Sequence, residues 1–151
     1  MSGTEFWFYH LERQPLQAVL PLLVEKTLAR GWRALLRFST AERLEMIDTA
    51  LWTYRDESFL PHGSARDGNA TRQPVFLTLD AANPNAATVL FLLEAAEERE
   101  PERFTRVMRL FEDGDAEAKA LARVEWKRAK AAGFAVSYWR QDANGAWKKS
   151  A

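Results

Sequence analysis

The stretch EFWFYHLERQPLQAVLPLLVEKTLARG, residues 5–31, indicates how the chain folds. Its first seven residues are rich in aromatic side chains, which is typical of a buried strand. A helix is predicted to begin at Gln14, with Pro15 in the first turn, where its missing N–H removes no hydrogen bond. Apolar residues then recur at helical spacing until Gly31, a residue type that often ends helices. A strand followed directly by an amphipathic helix is typical of the parallel sheets of α/β proteins.

The rest of the chain continues this alternation of strands and helices. Apolar runs predict further strands at residues 32–39, 74–79, 87–93 and 134–141. Helical spacing predicts helices after a cap at Ser39 or Thr40, across Phe104, Val107, Met108 and Phe111, and from Ala116 to Ala132. We therefore expect an α/β, Rossmann-like fold: a mostly parallel central sheet with helices on both faces. Residues 53–73 show no clear period, and are either a functional segment or a misread element.

The composition is that of one soluble globular domain. A chain of 151 residues can bury a single core, and 47% hydrophobic with 28% charged residues is an ordinary balance. We expect one α/β domain over residues 1–151, with residues 141–151 as a possible tail. The first residues do not resemble a signal peptide, and no apolar run reaches the ~20 residues of a membrane helix, so a cytoplasmic protein is expected. The absence of cysteine excludes disulfides, thiolate catalysis and cysteine-based metal sites.

A parallel sheet suggests a nucleotide site, but the sequence lacks a nucleotide-binding glycine loop. The junction between the first strand and the first helix reads YHLERQPLQ and contains no glycine. It therefore matches neither the G-x-G-x-x-G fingerprint nor a P-loop, and no close cradle for a phosphate is predicted there. We expect no cofactor.

The segment DESFLPHG offers the alternative function. Asp56, Glu57 and His62 could hold a divalent metal or form an acid–base pair. Metal sites of this kind usually need further protein ligands, and no second histidine is nearby in the sequence. A small α/β enzyme that binds a nucleotide or a metal through these residues remains the alternative. A docking loop is favoured, because Phe59 and Leu60 form an apolar projection flanked by charge.

The charges are balanced overall but segregated along the chain. Lysine plus arginine equals aspartate plus glutamate, 21 against 21, so the whole molecule has no basic surplus for nucleic acid. Residues 119–130 nevertheless contain five basic residues and one acidic residue, a net charge of +4. Residues 94–117 contain four basic and nine acidic residues, a net charge of −5. The neutral total therefore conceals two opposite patches.

The basic patch surrounds a tryptophan on the last predicted helix. Arg123, Trp126, Lys127 and Lys130 fall within an arc of roughly 100° on one side of that helix. The other side, predicted to face the core, carries Leu121, Val124 and Ala131. A cationic face with an indole in its middle suits a ligand that is both acidic and apolar. Two alternatives stay open: a solvated face whose Trp126 packs into the core, and single-stranded nucleic acid stacked on Trp126.

Four segments together resemble a known family. ALWTYRDESFLPHG (residues 50–63), RVEWKRAKAAGF (residues 123–134), the opening aromatic strand and GWRALLRF resemble the chi subunit of bacterial DNA polymerase III. The similarity runs in order over nearly the whole chain. It implies a non-enzymatic replication adaptor with a Rossmann-like fold and no metal or cofactor. In that family, chi links the clamp-loader complex, through its psi subunit, to the acidic C-terminal tail of single-stranded DNA-binding protein.

The resemblance also implies which residues bind the partners. Arg123, Trp126, Lys127 and Lys130 match the basic helix that binds the tail, and tyrosine commonly occupies the place of Trp126. A second surface, for psi or a helicase-type partner, matches Trp52, Phe59 and Leu60. Some bacteria with a chi-like protein have no recognisable psi, so that partner stays open. The expected location is the cytoplasm, at the nucleoid through the replisome, with no membrane contact and no direct nucleic-acid binding as the main role.

Overall fold

The computed structural model describes residues 3–53, 62–64 and 69–150, which form an α/β fold. Its strands are β1 (Glu5–Leu11), β2 (Ala34–Arg37), β3 (Gly63–Ser64), β4 (Val75–Thr78), β5 (Val89–Leu93), β6 (Arg106–Glu112), β7 (Ala135–Gln141) and β8 (Trp147–Lys149). Its α-helices are α1 (Leu16–Ala29), α2 (Ala41–Thr53) and α3 (Ala116–Ala131). None of the helices in these residues is long and apolar enough to cross a bilayer.

The strands form one sheet in the order β3-β4-β2-β5-β6-β1-β7-β8. Every neighbouring pair is parallel except β7 and β8, which run antiparallel. The expectation of a mostly parallel sheet is therefore confirmed. Strand β1 lies between β6 and β7, so the carboxyl ends of these three strands meet at one edge of the sheet.

Helices cover both faces of the sheet, and side chains of each strand alternate between the two cores. Trp7, Tyr9 and Leu11 of β1 face the core beneath α1 and α2, which we call the α1 face. Phe6 and Phe8 face the core beneath α3, which we call the α3 face. Because both faces of a covered parallel strand are buried, its apolar run is continuous rather than alternating.

The prediction of a helix across Phe104, Val107, Met108 and Phe111 is wrong. Residues 106–112 form strand β6, which lies between β5 and β1 near the centre of the sheet. A short run that is apolar on both faces also matches helical spacing, so periodicity alone does not separate the two structures. Arg109, which is 0% exposed, interrupts the apolar run and hides the strand pattern.

Most of the other predicted elements are confirmed, with small shifts at their ends. Helix α1 begins at Leu16, with Pro15 as its N-cap residue, and Gly31 follows it with a positive φ of 78°. The Thr40 hydroxyl caps α2 by accepting a hydrogen bond from the backbone N–H of Arg43 (3.3 Å). Within residues 141–151, the indole of Trp147 on β8 packs against Tyr9, with ring centroids 4.8 Å apart.

The irregular segment predicted at residues 53–73 lies partly outside the described residues. Within it, Gly63 and Ser64 form the short strand β3 beside β4, and residues Ala70–Arg72 form one turn of 3-10 helix. These parts of the segment are therefore regular structure.

Candidate functional site

Helix α3 packs against the sheet through small side chains rather than large ones. Its fully or almost fully buried alanines are Ala118, Ala122 and Ala129. The prediction that Leu121, Val124 and Ala131 face the core is wrong: Leu121 is half-buried, Val124 is 47% exposed and Ala131 is exposed. Hydrophobicity alone predicts that leucine and valine face the core, whereas the buried residues of α3 are three alanines and Glu125.

An ion pair inside the α3 face fixes the rotation of α3 about its axis. The Arg109 guanidinium on β6 donates to both carboxylate oxygens of Glu125, at 2.7 and 2.8 Å. The same guanidinium donates to the backbone carbonyls of Glu94 (2.9 Å) and Ala96. The Arg109 side chain is 0% exposed and the Glu125 side chain 11%, so both charges are paired out of water. Trp126, the next residue after Glu125, is thereby held at the edge of the helix–sheet contact.

Trp126 is half-buried, with part of its indole packed and part accessible. Its ring meets Phe8 edge-on, with centroids 5.4 Å apart, and meets Tyr138 in the same way at 5.8 Å. Lys130 Nζ lies 5.3 Å from the centroid of the indole, within the range of a cation–π contact. The indole is therefore a rigid platform with a cation at its margin.

The accessible part of Trp126 lines a cavity of about 500 Å³. The cavity lies at the carboxyl ends of β1, β6 and β7, where ligands of open parallel sheets usually bind. Its walls come from those three strands, from the loop after β6 and from α3: His10, Glu12, Phe111, Asp113, Lys119, Ala122, Arg123, Trp126, Tyr138 and Arg140. We call this space the α3 cavity. Of the residues predicted for tail binding, Arg123 and Trp126 line it, while Lys127 and Lys130 are exposed on the same helix beside it.

A chain of hydrogen bonds crosses the floor of the α3 cavity. The Tyr138 hydroxyl lies 2.8 Å from His10 Nδ1, and His10 Nε2 lies 2.7 Å from Asp113 Oδ1. Lys119 Nζ donates to the same Asp113 oxygen at 2.9 Å. The bond from Lys119 is the largest cause that lowers the pKa of Asp113, followed by the bond from His10. Asp113 is thus a fixed carboxylate at the cavity.

A second ion pair also lines the cavity. The Arg140 guanidinium donates to both oxygens of Glu12, at 2.8 and 2.6 Å. This bidentate contact lowers the pKa of Glu12 and raises the pKa of Arg140. Arg140 and Lys119 therefore already have carboxylate partners within the protein.

The cations predicted to bind the tail differ from Arg140 and Lys119 in their ion pairing. Within residues 3–53, 62–64 and 69–150, no carboxylate forms an ion pair with Arg123, Lys127 or Lys130. All three side chains are exposed on α3. Among the residues that the structure describes, they therefore form a positive surface without carboxylate partners on the helix that carries Trp126.

Sequence reasoning missed most of the cavity wall. Lys119 precedes Arg123 by four residues, so helical spacing alone could have added it to the basic face. His10, Asp113, Tyr138 and Arg140 are far apart in the sequence and meet only through the register of the sheet, in which His10 pairs with Phe111 on β6 and Arg140 on β7. No local pattern in the sequence indicates that register.

The other predicted residues lie largely outside the described part of the chain. Phe59, Leu60, Asp56 and Glu57 fall between residues 54 and 61, and the Trp52 side chain, near the end of α2, is also outside it. His62 is buried, and its Nε2 lies 3.1 Å from Asp48 Oδ1 on α2. Among the residues that the structure describes, no group of three or more histidine, aspartate or glutamate side chains could hold a metal ion.

Comparison with known proteins identifies the family. Residues 3–137 match the family described as DNA polymerase III chi subunit, HolC. The chain is also 30% identical over 89 residues to the probable DNA polymerase III subunit chi of Rickettsia prowazekii (strain Madrid E). That alignment covers 59% of this chain and 54% of the relative, so the match spans about half the length of the curated relative. Because the family match extends over most of the chain, the protein belongs to the DNA polymerase III chi subunits, a family of non-catalytic accessory subunits in DNA replication.

Proposed function

We propose that this chain is a replication adaptor that links the clamp-loader complex of DNA polymerase III to the acidic C-terminal tail of single-stranded DNA-binding protein. One observation carries the proposal: three exposed cations, with no ion-pair partner in the part of the chain that the structure describes, share a helix with a half-buried indole beside a cavity of about 500 Å³. This arrangement suits a short peptide that carries carboxylates and ends in an apolar side chain.

Some residues of the site bind the charges of the tail, and others pack against its apolar side chain. Arg123, Lys127 and Lys130 meet carboxylates of the tail, and Arg123 can bind one of them with two parallel hydrogen bonds. The terminal apolar side chain enters the α3 cavity against Trp126 and Phe111. The partners of Trp126, Phe8 and Tyr138, keep the indole in place before the ligand arrives, so little side-chain entropy is lost on binding.

A contact of this size is expected to be weak and sensitive to salt. Short peptides that bury one side chain and form a few surface ion pairs bind at roughly micromolar dissociation constants. Exposed ion pairs are screened within about 8 Å at physiological ionic strength, so added salt weakens binding. Packing against Trp126 is apolar and persists at high salt.

A second surface completes the adaptor. Trp52, Phe59 and Leu60 are proposed to bind psi or, where psi is missing, a helicase-type partner. Support comes from the apolar character of FLP between charged residues and from the family match over residues 3–137. Cytoplasmic location, association with the nucleoid through the replisome and a Rossmann-like connectivity of the sheet belong to the same proposal. The alternative enzyme built on Asp56, Glu57 and His62 has no comparable support, since His62 already pairs with Asp48.

The test is direct binding of a fluorescent peptide with the sequence of the tail, measured by anisotropy at low and at high salt. We expect saturable binding that weakens as salt rises. A second peptide whose terminal carboxylate is amidated is the matched control, and it should bind more weakly. No saturable binding at low salt, or equal binding by an unrelated peptide of the same charge, would contradict the proposal.

A further inference from the structure

A second cleft, of about 260 Å³, lies on the other face of the sheet from the α3 cavity. Its walls come from α1, β1, β6, β7 and β8, and four of the six tryptophans of the chain line it: Trp7, Trp32, Trp139 and Trp147. We call it the tryptophan cleft. Trp32 and Arg106 stand at the amino ends of β2 and β6, so part of this cleft lies toward the end of the sheet away from the α3 cavity.

The aromatic rings in the cleft are arranged as near-parallel layers. Trp7 and Trp139 stack with centroids 5.4 Å apart and an angle of 22° between their planes. Tyr9 lies alongside both rings, at 11° to Trp7 and 29° to Trp139. Trp139 and Trp147 are only half-buried, so ring surface remains accessible in the cleft. Such a wall suits a flat, conjugated ligand.

A cation lies inside the cleft without full compensation. The Arg106 guanidinium carbon is 4.0 Å from the centroid of Trp7 and 5.3 Å from that of Trp32. Its closest carboxylate is Glu5, at 3.5 Å from a terminal nitrogen, and the buried Nε finds no hydrogen-bond acceptor in the described ranges 3–53, 62–64 and 69–150. Burial is the main cause that lowers the pKa of Arg106. An anion bound in the cleft would partly neutralise the positive charge of Arg106.

Two further cations stand at the rim of the cleft. Lys26 and Arg30, in the last turn and at the end of α1, are both exposed and both line the cleft. The Arg30 guanidinium carbon lies 5.0 Å from the centroid of Trp32, and its charge also lowers the pKa of Arg106. Among the ion pairs within residues 3–53, 62–64 and 69–150, these three cations have one carboxylate partner, Glu5, which pairs with Arg106. The cleft combines excess positive charge with accessible aromatic surface.

We propose that the tryptophan cleft binds single-stranded nucleic acid, with a base packed against the indoles and the adjoining phosphates at Arg30 and Lys26. Stacked aromatic rings beside cations are how proteins bind single strands without reading sequence. A polypeptide ligand would need partners for its backbone amides. The lining offers few acceptors for backbone N–H groups: the Thr27 hydroxyl donates to Leu23 O at 2.9 Å, and most of the other polar groups that line the cleft are donors, namely cations and indole N–H groups.

This activity goes beyond the proposed adaptor function and does not depend on it. The balanced total charge argues against a long phosphate footprint. A balanced total charge is nevertheless compatible with a site for one or two nucleotides where positive charge is locally in excess. Since the tail site is on α3, one molecule could hold a protein tail and a segment of single strand at the same time.

The test uses the full chain and a fluorescent thymidine oligonucleotide of about twelve residues, followed by anisotropy at low salt. The logarithm of the binding constant should fall with the logarithm of salt concentration with a slope of about −0.7 for each phosphate contacted, and so between about −0.7 and −1.4 for one or two phosphates. Arg30→Glu should weaken binding roughly tenfold, because it replaces an attraction with a repulsion. Arg99→Glu, the same charge change at an exposed position after the carboxyl end of β5, is the matched control and should have little effect.

The indole N–H signals of the six tryptophans in an NMR spectrum locate the bound strand. The oligonucleotide should shift the signals of Trp7, Trp32, Trp139 and Trp147, whereas a tail peptide should shift that of Trp126. No saturable binding at low salt, or an equal loss with Arg99→Glu, overturns the proposal. If Arg30→Glu weakens the binding of a peptide but does not change the binding of the oligonucleotide, the ligand of the cleft is a protein. That result also overturns the proposal. Failure of the tail peptide to bind would leave these results unchanged, so the two proposals are tested separately.

Discussion

Asp113 Oδ1 lies 2.9 Å from Lys119 Nζ at the wall of the α3 cavity, beside the exposed cations of α3. The protein thus carries its own carboxylate within the site proposed for an acidic ligand. In the proposed function, an incoming carboxylate competes with Asp113 for Lys119, in the same way as with Glu12 for Arg140. We therefore expect affinity for the tail to be set partly by the carboxylates that the site already contains.

Replacing this internal competitor should strengthen tail binding. Asp113→Asn removes one negative charge and releases Lys119, so we expect the tail peptide to bind roughly three- to fivefold more tightly at low salt, as for an exposed ion pair. Titration of the peptide by anisotropy measures this. Glu117→Gln, the same loss of charge at an exposed position in the first turn of α3, is the control and should change affinity less. Unchanged or weaker binding by Asp113→Asn would show that Lys119 does not take part.

The pH dependence of Asp113 follows from the same contacts. Its pKa is lowered from the usual 3.8, first by Lys119 and then by His10. A carboxylate whose pKa is depressed by folding stabilises the protein above its unfolded pKa, near 4, and this contribution is lost as the pH falls through the lower folded value. Carbon-13 NMR of the Asp113 carboxyl should give a midpoint below 3.8. In Lys119→Ala the midpoint should rise; a midpoint that does not move would contradict the assigned cause.

Trp126 should contribute more to tail binding than any single lysine of α3. Trp126→Ala removes the apolar platform and should weaken the tail peptide by tenfold or more, about 1.4 kcal/mol, as expected for a central aromatic anchor. Lys127→Ala removes one screened charge and should weaken it by roughly two- to fivefold. Trp126→Tyr is the conservative variant and should retain most of the affinity. Far-UV circular dichroism checks that each variant is folded. A larger loss with Lys127→Ala than with Trp126→Ala would indicate that charge alone determines binding.

The Arg109–Glu125 pair should be essential for stability. Glu125→Ala leaves a fully buried guanidinium without its carboxylate, and the expected loss is about 3–5 kcal/mol of the free energy of unfolding. Urea denaturation of this variant and of Glu117→Ala, an exposed glutamate of the same helix, gives the comparison. A loss below about 1 kcal/mol, the typical value for an exposed pair, would mean that water reaches Arg109.

How far the sequence predicts the fold depends on whether an element has local signals. β1, α1, α3 and β7 have them: a short aromatic or alternating run, a proline at the start of α1, and glycines after α1 and α3. Strand β6 matches helical spacing, and Arg109 within it has the polarity of a surface residue, so its sequence does not indicate a buried strand. Its partner Glu125 is sixteen residues away on another element, and only the folded chain brings them together.

The candidate site divides in the same way. Arg123, Trp126, Lys127 and Lys130 are four residues of one helix, and helical spacing groups them without knowledge of the sheet. The cavity beside them depends on β1 lying between β6 and β7, which is a property of strand order. A pattern based on hydrophobicity also does not identify the core face of α3, which consists of buried alanines and a paired glutamate.

Strand β8 has a consequence for the way partners are recognised. It occupies the edge of β7 that faces away from β1, so an extended peptide cannot add itself there as the next strand. The outer edge of β8 is short and carries the exposed Lys148 and Lys149, and charged residues on an edge discourage strand addition. The protein then recognises a ligand near α3 by the positions of its charges and its terminal side chain, and not by backbone hydrogen bonds to the sheet. Tails that keep the spacing between their carboxylates and a terminal apolar side chain should be interchangeable even where the residues between them differ, so the surface can tolerate drift in the rest of its partner.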